Sequence, residues 1–392
     1  MRLIATMGAS GISQKHVYSV NNKEYQSELS FMALAEAYHI TDIVVIGTEI
    51  SKNKIQPILD QHSNIEMVVI ESDQVEDVFQ KSLEYIVQDT ILDLTQGYRH
   101  YPMLTLLASI FLQNSKTKNV KDIFYAQIED ENCQAYQESC RYRFTSLIKY
   151  LDIANMARII NTFKNTLLTL DYDVQYSEFR VLRDSLDELT RELFSNNFKQ
   201  SSKKAKKIET NINKILKDRD LDIVKEHLNN LKEEMQQIQA LDSEYESERL
   251  LNVSEYFLQK RILLHSVTLL YEAMVAFLDE RVNNYKCNTI NRRGEEVPAD
   301  IFQRRNCLKL NMGSCKQAYY QNNISQCKEF SSLLRKIDGL RNNSAHAHTT
   351  GTYQEDLKHE LEKAIKFLIP IIKQNISTEE KVTNLQDMFN NR

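Results

Sequence analysis

The sequence predicts an α/β domain followed by an all-α domain. Three observations carry this prediction. Short apolar runs alternate with amphipathic stretches over roughly the first third of the chain, the strand signal fades after residue 145, and only 8 Gly and 4 Pro occur in 392 residues. Continuous apolar strands between amphipathic helices are typical of a parallel sheet with helices on both faces. We place the two domains at 1–144 and 145–392.

The first domain alternates strands and helices. Its strands are predicted at 3–6, 43–48, 67–70, 91–95 and 123–128. Its helices are predicted at 24–40, 74–88 and 102–113. The alternation indicates a Rossmann-like sheet, in which ligands bind outside the carboxyl ends of the strands.

The second domain is predicted to be helical throughout, apart from a loop at 291–300. Apolar residues recur at helical spacing over 144–170, 256–280, 331–343 and 353–374, where Pro370 is expected to interrupt the last helix. Residues 198–250 are charged, with a lysine cluster at 199–207, and are interpreted as solvated helices. A basic face that guides RNA is the alternative for this segment.

Composition excludes several classes of protein. A net charge of −5 offers no overall attraction for nucleic acid, so any such site must be a local patch. The six cysteines form no C-x-x-C pair, so we predict reduced thiols, no structural zinc or other metal site, and a cytoplasmic protein. Neither a signal peptide nor an apolar run of about 18 residues is present, so no membrane association is expected.

The loop MGASGIS, residues 7–13, follows the first strand. Gly8, Ser10 and Gly11 allow backbone N–H groups to approach a phosphate or a sugar. The loop is neither G-x-G-x-x-G nor a GK[ST] phosphate loop, which disfavours a dinucleotide cofactor. A plain tight turn between strand and helix is the alternative.

A second polar loop, DLTQGYRHYP, follows the fourth strand at 93–102. Thr95 and Gln96 offer side-chain hydrogen bonds, Gly97 lets the backbone turn, and Arg99 supplies a planar cation suited to phosphate or to a base. A buried sheet does not need these residue types in this order, so the loop predicts a ligand site.

A third motif, RNNSAHAH, lies at 341–348 near the C-terminus. Arg341 can stabilise negative charge on a phosphate, and His346 or His348 can transfer a proton near neutral pH. The sequence shows no carboxylate cluster beside them, which argues against two-metal chemistry. On an ideal helix, residues five apart differ by about 140°, so Arg341 and His346 would not share a face. Either the helix ends around Asn342–Ser344 or the pair converges with that of a second subunit.

Together, these motifs resemble the CRISPR-associated CARF–HEPN ribonucleases of type III immunity, over nearly the whole chain. ILDLTQGYR (91–99) is similar to the CARF motif after the fourth strand, and FTSLIKYLDIANMARIINTF (144–163) to the helices that open the HEPN half. LRNNSAHA (340–347) is similar to the HEPN signature. The branch named for its D-x-T-H-G motif is the best match, although Gln96 stands where that motif has histidine.

The resemblance implies a ligand-sensing CARF domain and a helical HEPN ribonuclease domain in a homodimer or larger oligomer. It implies that a cyclic oligoadenylate activator, cyclic tetra-adenylate in preference to cyclic hexa-adenylate, binds the CARF pair. Single-stranded RNA would then be cut without metal or other cofactor. It assigns catalysis to Arg341, Asn342 and His346, and ligand contact to Gly8, Ser10, Gly11, Thr95, Gln96, Gly97 and Arg99. Family spacing favours His346, whereas helix geometry favours His348.

Three alternatives stay open at this point. The chain could be a ligand sensor without nuclease activity, or a HEPN toxin-type ribonuclease that needs no second messenger. A Rossmann-type metabolic enzyme is the last of the three, because the cofactor fingerprint is missing.

Overall fold

A computed structural model gives the architecture of the chain. The described residues are 1–8, 14–71, 75–115, 118–130, 132–133, 139–281, 288–290, 296–298, 325–345 and 351–376. The α/β part contains β1 Arg2–Met7, β2 His16–Val20, β3 Lys23–Ser27, α1 Ser30–Tyr38, β4 Asp42–Thr48, α2 Glu49–Leu59, β5 Ile65–Ile70, α3 Val75–Tyr85, β6 Thr90–Asp93, α4 His100–Asn114, β7 Val120–Ile128 and β8 Arg141–Ser146.

One eight-stranded sheet organises this part of the chain, in the order β3-β2-β8-β7-β6-β1-β4-β5. Strands β7, β6, β1, β4 and β5 run parallel, and β8 lies antiparallel to β7. The predicted α/β class with a parallel sheet is therefore confirmed. The strand order reverses at β1, which pairs with β4 on one side and with β6 on the other.

Helices cover both faces of the sheet, and alternate residues of β1 enter two separate cores. Leu3 and Ala5 pack with Phe31 of α1 on one face. Ile4 packs with Val78 of α3 and Ala108 of α4 on the other. Because successive side chains of a strand point to opposite faces, a strand buried on both sides reads as one continuous apolar run.

Three strands of this sheet, β2, β3 and β8, escaped the sequence analysis. The helix predicted over 24–40 is wrong in its first part: β3 occupies 23–27, and the helix begins only at Ser30. Strands β2 and β3 form a hairpin whose two turn residues, Asn21 and Asn22, both have positive φ, of 50° and 64°. The helix predicted over 144–170 also begins late, because β8 continues to Ser146.

The prediction that all six cysteines are reduced is wrong for one pair. Cys133 and Cys140 form a disulfide, with Cα atoms 5.9 Å apart. Antiparallel β7 and β8 meet at this end of the sheet, which brings the two residues together. Backbone bonds join Cys140 to β2, since its N–H donates to His16 Nδ1 at 3.1 Å and its carbonyl accepts from Val17.

The rest of the chain is almost entirely helical, as predicted. Its elements are α5 Ile148–Thr166, α6 Ser177–Phe194, α7 Phe198–Ile215, a 3₁₀ turn Arg219–Val224, α8 Lys225–Gln239, α9 Glu246–Gln259, α10 Leu263–Arg281, β9 Asn288–Ile290, β10 Glu296–Pro298, α11 Ser325–Ala345 and α12 Gly351–Ile376. Strands β9 and β10 pair antiparallel, so part of the loop predicted at 291–300 is a strand.

Helix α10 forms the centre of this helical part. Its residues from Ser266 to Leu278 are buried except Thr268 and Glu272. A helix that is apolar almost all round must be covered on every side by other helices. Phe277 meets Phe330 of α11 with ring centroids 6.0 Å apart, so α10 and α11 pack directly.

Two details of the predicted helices need correction. The single helix predicted over 256–280 is two helices, because the chain turns at Arg261, whose φ is 58°. Lys260 at this turn pairs with the buried Glu234, Nζ to Oε1 at 2.6 Å, and Glu234 also accepts from the Tyr256 hydroxyl. Pro370 does not interrupt the last helix, which continues through it to Ile376.

The chain forms two compact units, residues 1–159 with 170–183, and residues 160–169 with 184–392. The first unit contains the whole eight-stranded sheet. The predicted boundary at 144/145 stays a prediction, and both of its residues lie within β8. Across the ranges that the structure describes, no helix is long and apolar enough to cross a membrane.

A buried carboxylate in the first unit makes stability depend on pH. Asp152 on α5 accepts hydrogen bonds from the backbone N–H groups of Gln175 and Tyr176, at 3.0 and 2.8 Å. Burial raises the pKa of Asp152 from its ordinary value of 3.8 to about 6. Between about pH 4 and pH 6 the native state holds a proton that the unfolded state has released, so the free energy of unfolding rises as pH falls through about 6.

We expect Asp152→Asn to flatten this dependence, because the amide oxygen still accepts both N–H bonds and carries no charge. Urea unfolding at pH 5, 6 and 7 measures it, with the exposed Asp60→Asn as the matched control. An unchanged slope in Asp152→Asn would contradict the assignment.

Candidate functional site

The loops after β1 and β6 lie side by side where the strand order reverses. Strands β1 and β6 are parallel neighbours, with Ala5 opposite Asp93, so both loops leave the carboxyl edge of the sheet. In open α/β sheets, ligands bind in the crevice at this switch point. The structure thus brings the two loops that the sequence singled out to one place.

Two glycines let these loops touch through their backbones. A Cβ on Gly8 would lie 2.9 Å from the carbonyl carbon of Gly97 and 3.0 Å from the Tyr98 nitrogen. Gly97 has a φ of +126°, and a Cβ there would lie 2.9 Å from Thr6 Oγ1. The Thr6 hydroxyl donates to the carbonyl of Gln96. Gly8 and Gly97 are therefore needed for the contact between the loops, whatever else they bind.

Asp93 anchors the second loop from beneath. Its carboxylate is buried and accepts from the Ser30 hydroxyl at 2.5 Å and from the Thr95 backbone N–H at 2.9 Å. Burial raises the pKa of Asp93, and the bonds from Ser30 and Thr95 oppose that rise. Thr95 Oγ1 in turn accepts from the N–H of Ala126 on β7, at 2.9 Å. The Thr95 hydroxyl thus ties the loop to the sheet, a role that the sequence analysis did not assign to it.

Three buried polar atoms beside this anchor have no protein partner among the described residues. They are Gln96 Oε1, His100 Nε2 and the Tyr101 hydroxyl. Leaving such a group unsatisfied costs about 1–3 kcal/mol, and all three atoms are closed off from solvent in this conformation. Sequence reasoning missed His100 and Tyr101. Their signal was their position in RHYP, the last four residues of the loop that the sequence analysis singled out.

Arg99 and the first turn of α4 add positive charge to this edge. Arg99 is exposed, and within the described ranges its side chain has no ion pair or hydrogen bond. It precedes α4 directly, and the N-terminus of a helix favours anions. Ser10 and Gly11, two further predicted contacts, lie outside the described residues.

The second candidate site lies on α11, which runs without a break from Ser325 to Ala345. The alternative in which this helix ends around Asn342–Ser344 is therefore wrong. Arg341 lies over the ring of Tyr271 on α10, with its guanidinium carbon 4.1 Å from the ring centroid. Asn342 Oδ1 is 3.5 Å from Arg341 Nη2. His346 and His348 lie outside the described residues.

Two carboxylates accompany Arg341, which the sequence analysis did not foresee. Asp338 Oδ1 lies 2.9 Å from Nη2, and Glu272 Oε1 lies 4.0 Å from Nη1. Glu272 comes from α10, so only the packing of α10 on α11 reveals it. The Asp338 oxygen lies within ion-pair distance of the guanidinium, and the Glu272 oxygen lies at the limit of that distance. Among the described residues, no group of three or more His, Cys, Asp or Glu side chains could hold a metal ion.

Fold and sites together define a two-part protein. An α/β unit carries a polar loop site at its topological switch point, and a helical unit carries an oriented arginine beside an asparagine. No protein-family model matches the chain. No curated protein matches it either.

Comparison with solved structures finds similar chains, of which one covers nearly the whole of this protein. Csm6 of Enterococcus italicus, solved bound to cyclic hexa-2′-fluoro-hexa-dAMP, is similar over 99% of this chain and 96% of its own. The identity is 10% and the TM-score is 0.43. At these values the likeness by itself assigns neither a ligand nor an activity to this chain.

Gly97→Ala tests the contact between the two loops. We expect it to lower the free energy of unfolding by about 1–3 kcal/mol, because the new Cβ meets Thr6 Oγ1 and φ lies in a region that disfavours side chains. Gly339→Ala is the control: it lies within α11 with nothing within 4 Å of its Cβ, and should raise stability by about 0.5–1 kcal/mol. Urea unfolding of both variants measures the two signs, and equal shifts would contradict this account.

Proposed function

We propose that the protein is an endoribonuclease of type III CRISPR defence, activated by a cyclic oligoadenylate. The first unit binds the activator at the loops after β1 and β6. The helical unit cuts single-stranded RNA without a metal ion, in the cytoplasm. The observation that carries the proposal is the fixed Arg341, which lies on an unbroken helix five residues before His346.

The chemistry of the first site suits a nucleotide ring. Arg99 and the N-terminus of α4 favour phosphate, whereas the partly exposed Gln96 and His100 offer hydrogen bonds suited to a base or a ribose. Because Thr95 is already bonded to β7, we assign it to shaping the loop, and the contacts to Gly8, Ser10, Gly11, Gln96, Gly97 and Arg99. We favour cyclic tetra-adenylate over cyclic hexa-adenylate, by resemblance to the D-x-T-H-G branch.

The residue at position 96 limits what this unit does to its activator. Gln96 stands where the D-x-T-H-G motif has histidine. An amide can donate and accept hydrogen bonds, but it cannot exchange a proton near neutral pH. We therefore propose that position 96 binds the activator and does not help to degrade it.

RNA supplies the nucleophile for the proposed cleavage. The 2′-hydroxyl attacks the adjacent phosphorus while His346 accepts its proton, and the bond to the 5′-oxygen breaks. A proton returns to that oxygen, which leaves a 2′,3′-cyclic phosphate and a 5′-hydroxyl. Arg341 stabilises the charge on the pentacoordinate phosphate, and Asn342 orients the phosphate or the histidine.

A homodimer supplies the geometry that one helix does not. Since α11 continues to Ala345, it offers no break between Arg341 and Ala345 that would bring Arg341 and His346 to one face. We propose that the Arg341–His346 pairs of two subunits form one composite site. A ligand that contacts both subunits would then favour the active arrangement through its differential affinity for two states.

A ligand sensor without nuclease activity is the second candidate. The observation that favours it is the pairing of Arg341 with Asp338 and Glu272, which neutralises the guanidinium charge. In that case, RNA would compete poorly for Arg341, and the helical unit would serve to bind a partner.

Cleavage of labelled single-stranded RNA in EDTA distinguishes the two candidates. We expect cyclic tetra-adenylate, and less strongly cyclic hexa-adenylate, to raise the rate, and both Arg341→Ala and His346→Ala to lower it by at least 10²-fold. His348→Ala should retain activity. If neither ligand raises cleavage, the sensor is favoured, and if His348→Ala alone is inactive, the catalytic histidine is reassigned.

Arg99→Ala tests the activator site separately. We expect the activator concentration for half-maximal cleavage to rise at least tenfold, because one charge-assisted hydrogen bond is worth about 1.5–3 kcal/mol. Cleavage at saturating activator should stay unchanged. Arg180→Ala removes an exposed arginine elsewhere in the same unit and is the control. An Arg99→Ala curve identical to that of Arg180→Ala would remove Arg99 from the site.

A further inference from the structure

The turn between α9 and α10 places an arginine where glycine is the usual residue. Arg261 has a φ of 58°, its N–H donates to the Leu258 carbonyl, and the Ile262 N–H donates to that of Phe257, both at 2.9 Å. This pattern ends many helices, with glycine at the left-handed position. A side chain there costs roughly 1–2 kcal/mol. Arg261 is one of seven described non-glycine residues with positive φ, and its side chain lines the cavities beside this turn.

Two adjoining cavities of the helical unit share Arg261 and Lys358. The smaller, of about 230 Å³, has walls at Ser344 of α11 and at Leu264 of α10. The larger, of about 580 Å³, lies between α9 and α12 and also includes Lys366. Because Arg261 and Lys358 line both, the cavities form one continuous groove.

Positive charge is in excess only at the smaller cavity, because three cations and three carboxylates line the groove as a whole. In the part of the chain that the structure describes, Arg261 has no ion pair or side-chain hydrogen bond. Lys358 Nζ lies 3.7 Å from Glu362 Oε1, and a partly exposed ion pair of this kind is weak. Glu355 is the one carboxylate among the lining residues of the smaller cavity, against two cations. An anion is therefore favoured between Arg261 and Lys358.

The groove begins beside the candidate catalytic arginine. Ser344 follows Arg341 by three residues, which is about 4.5 Å along α11. On α10, Leu264 precedes Tyr271 by seven residues. The two residues therefore lie on the same face of the helix, about 10 Å apart along its axis. Leu263 and Leu264 give this end an apolar wall, against which a ribose or a base can pack.

We propose that Arg261 and Lys358 form a phosphate-binding subsite for the RNA strand that flanks the bond cut at Arg341. Arg261 holds a backbone phosphate at the mouth of the smaller cavity, and Lys358 a neighbouring one. The subsite rests on the proposed ribonuclease function. It predicts recognition of the backbone rather than of base sequence, because phosphate contacts carry no sequence information directly.

Binding of a 2′-O-methyl RNA oligonucleotide tests the subsite, because this probe lacks the attacking hydroxyl. The variant is Arg261→Gly with Lys358→Ala, and glycine suits the left-handed turn, so thermal unfolding should show undiminished stability. The control is Arg191→Ala with Lys363→Ala, which removes the same charge from exposed positions of the same unit outside the groove. Binding is measured over a salt series with cyclic tetra-adenylate and then cyclic hexa-adenylate present.

We expect the groove variant to bind about tenfold or more weakly and its slope of log K against log salt to fall by about 1.4, or 0.7 for each lost phosphate contact. Its KM for cleavable RNA should rise with little change in kcat, and the control should match the wild type. If the wild type cleaves RNA and both double variants behave alike, the subsite is overturned while the proposed function stands. If the wild type neither binds nor cleaves RNA, the proposed function itself fails, and the subsite with it.

Discussion

The buried carboxylate of Asp93 is the constraint on which the first site depends. Asp93 ends β6 inside the sheet, and its carboxylate accepts hydrogen bonds from Ser30 at the start of α1 and from Thr95 in the loop. The Thr95 hydroxyl in turn accepts from the N–H of Ala126 on β7. A carboxylate out of water is stable only when such donors surround it. The donors fix where the chain turns, and so they decide where Gln96, Gly97 and Arg99 lie. The polar loop is thus shaped by the sheet beneath it.

In the helical unit the corresponding constraint is the packing of α11 against the buried helix α10. Arg341 lies over Tyr271 and between Glu272 and Asp338, contacts that require α10 and α11 to stay in register. The planar guanidinium can stack and form ion pairs at the same time, which an ammonium group does less well. The two carboxylates also offset the positive charge of the Arg341 guanidinium, because they compete with any phosphate for its N–H donors. A substrate phosphate therefore has to displace or share these contacts.

Sequence reasoning succeeded where a pattern was local and continuous. Strands β1, β4 and β6 are buried on both faces, and their runs were read correctly because no polar alternation interrupts them. Strands β2 and β3 were missed because they alternate and their turn is Asn21–Asn22, where glycine would have been the stronger hairpin signal. The break at Arg261 was missed for the same reason, since an arginine gives no local sign that the backbone is left-handed.

The same contrast, between local patterns and contacts that only the folded chain creates, applies to the candidate sites. The first loop could be located from the residue types that follow β6, because its polar residues lie next to one another in the sequence. Glu272 and Tyr271 lie about 70 residues before Arg341, so their contact with it depends on tertiary packing that no spacing rule gives. The Cys133–Cys140 disulfide was missed because its partners meet only once β7 and β8 pair. The structural use of Thr95 was hidden as well, since a hydroxyl that faces a ligand and one that faces the sheet look the same in sequence.

Gly8 and Gly97 bring the chain after β1 into direct backbone contact with the loop after β6. At these two positions backbone lies against backbone, with no side chain between them. Gly8 thereby lies against the peptide that precedes Tyr98, two residues before α4 begins. A ligand bound at this crevice would therefore meet one surface to which β1, the loop after β6 and the start of α4 all contribute.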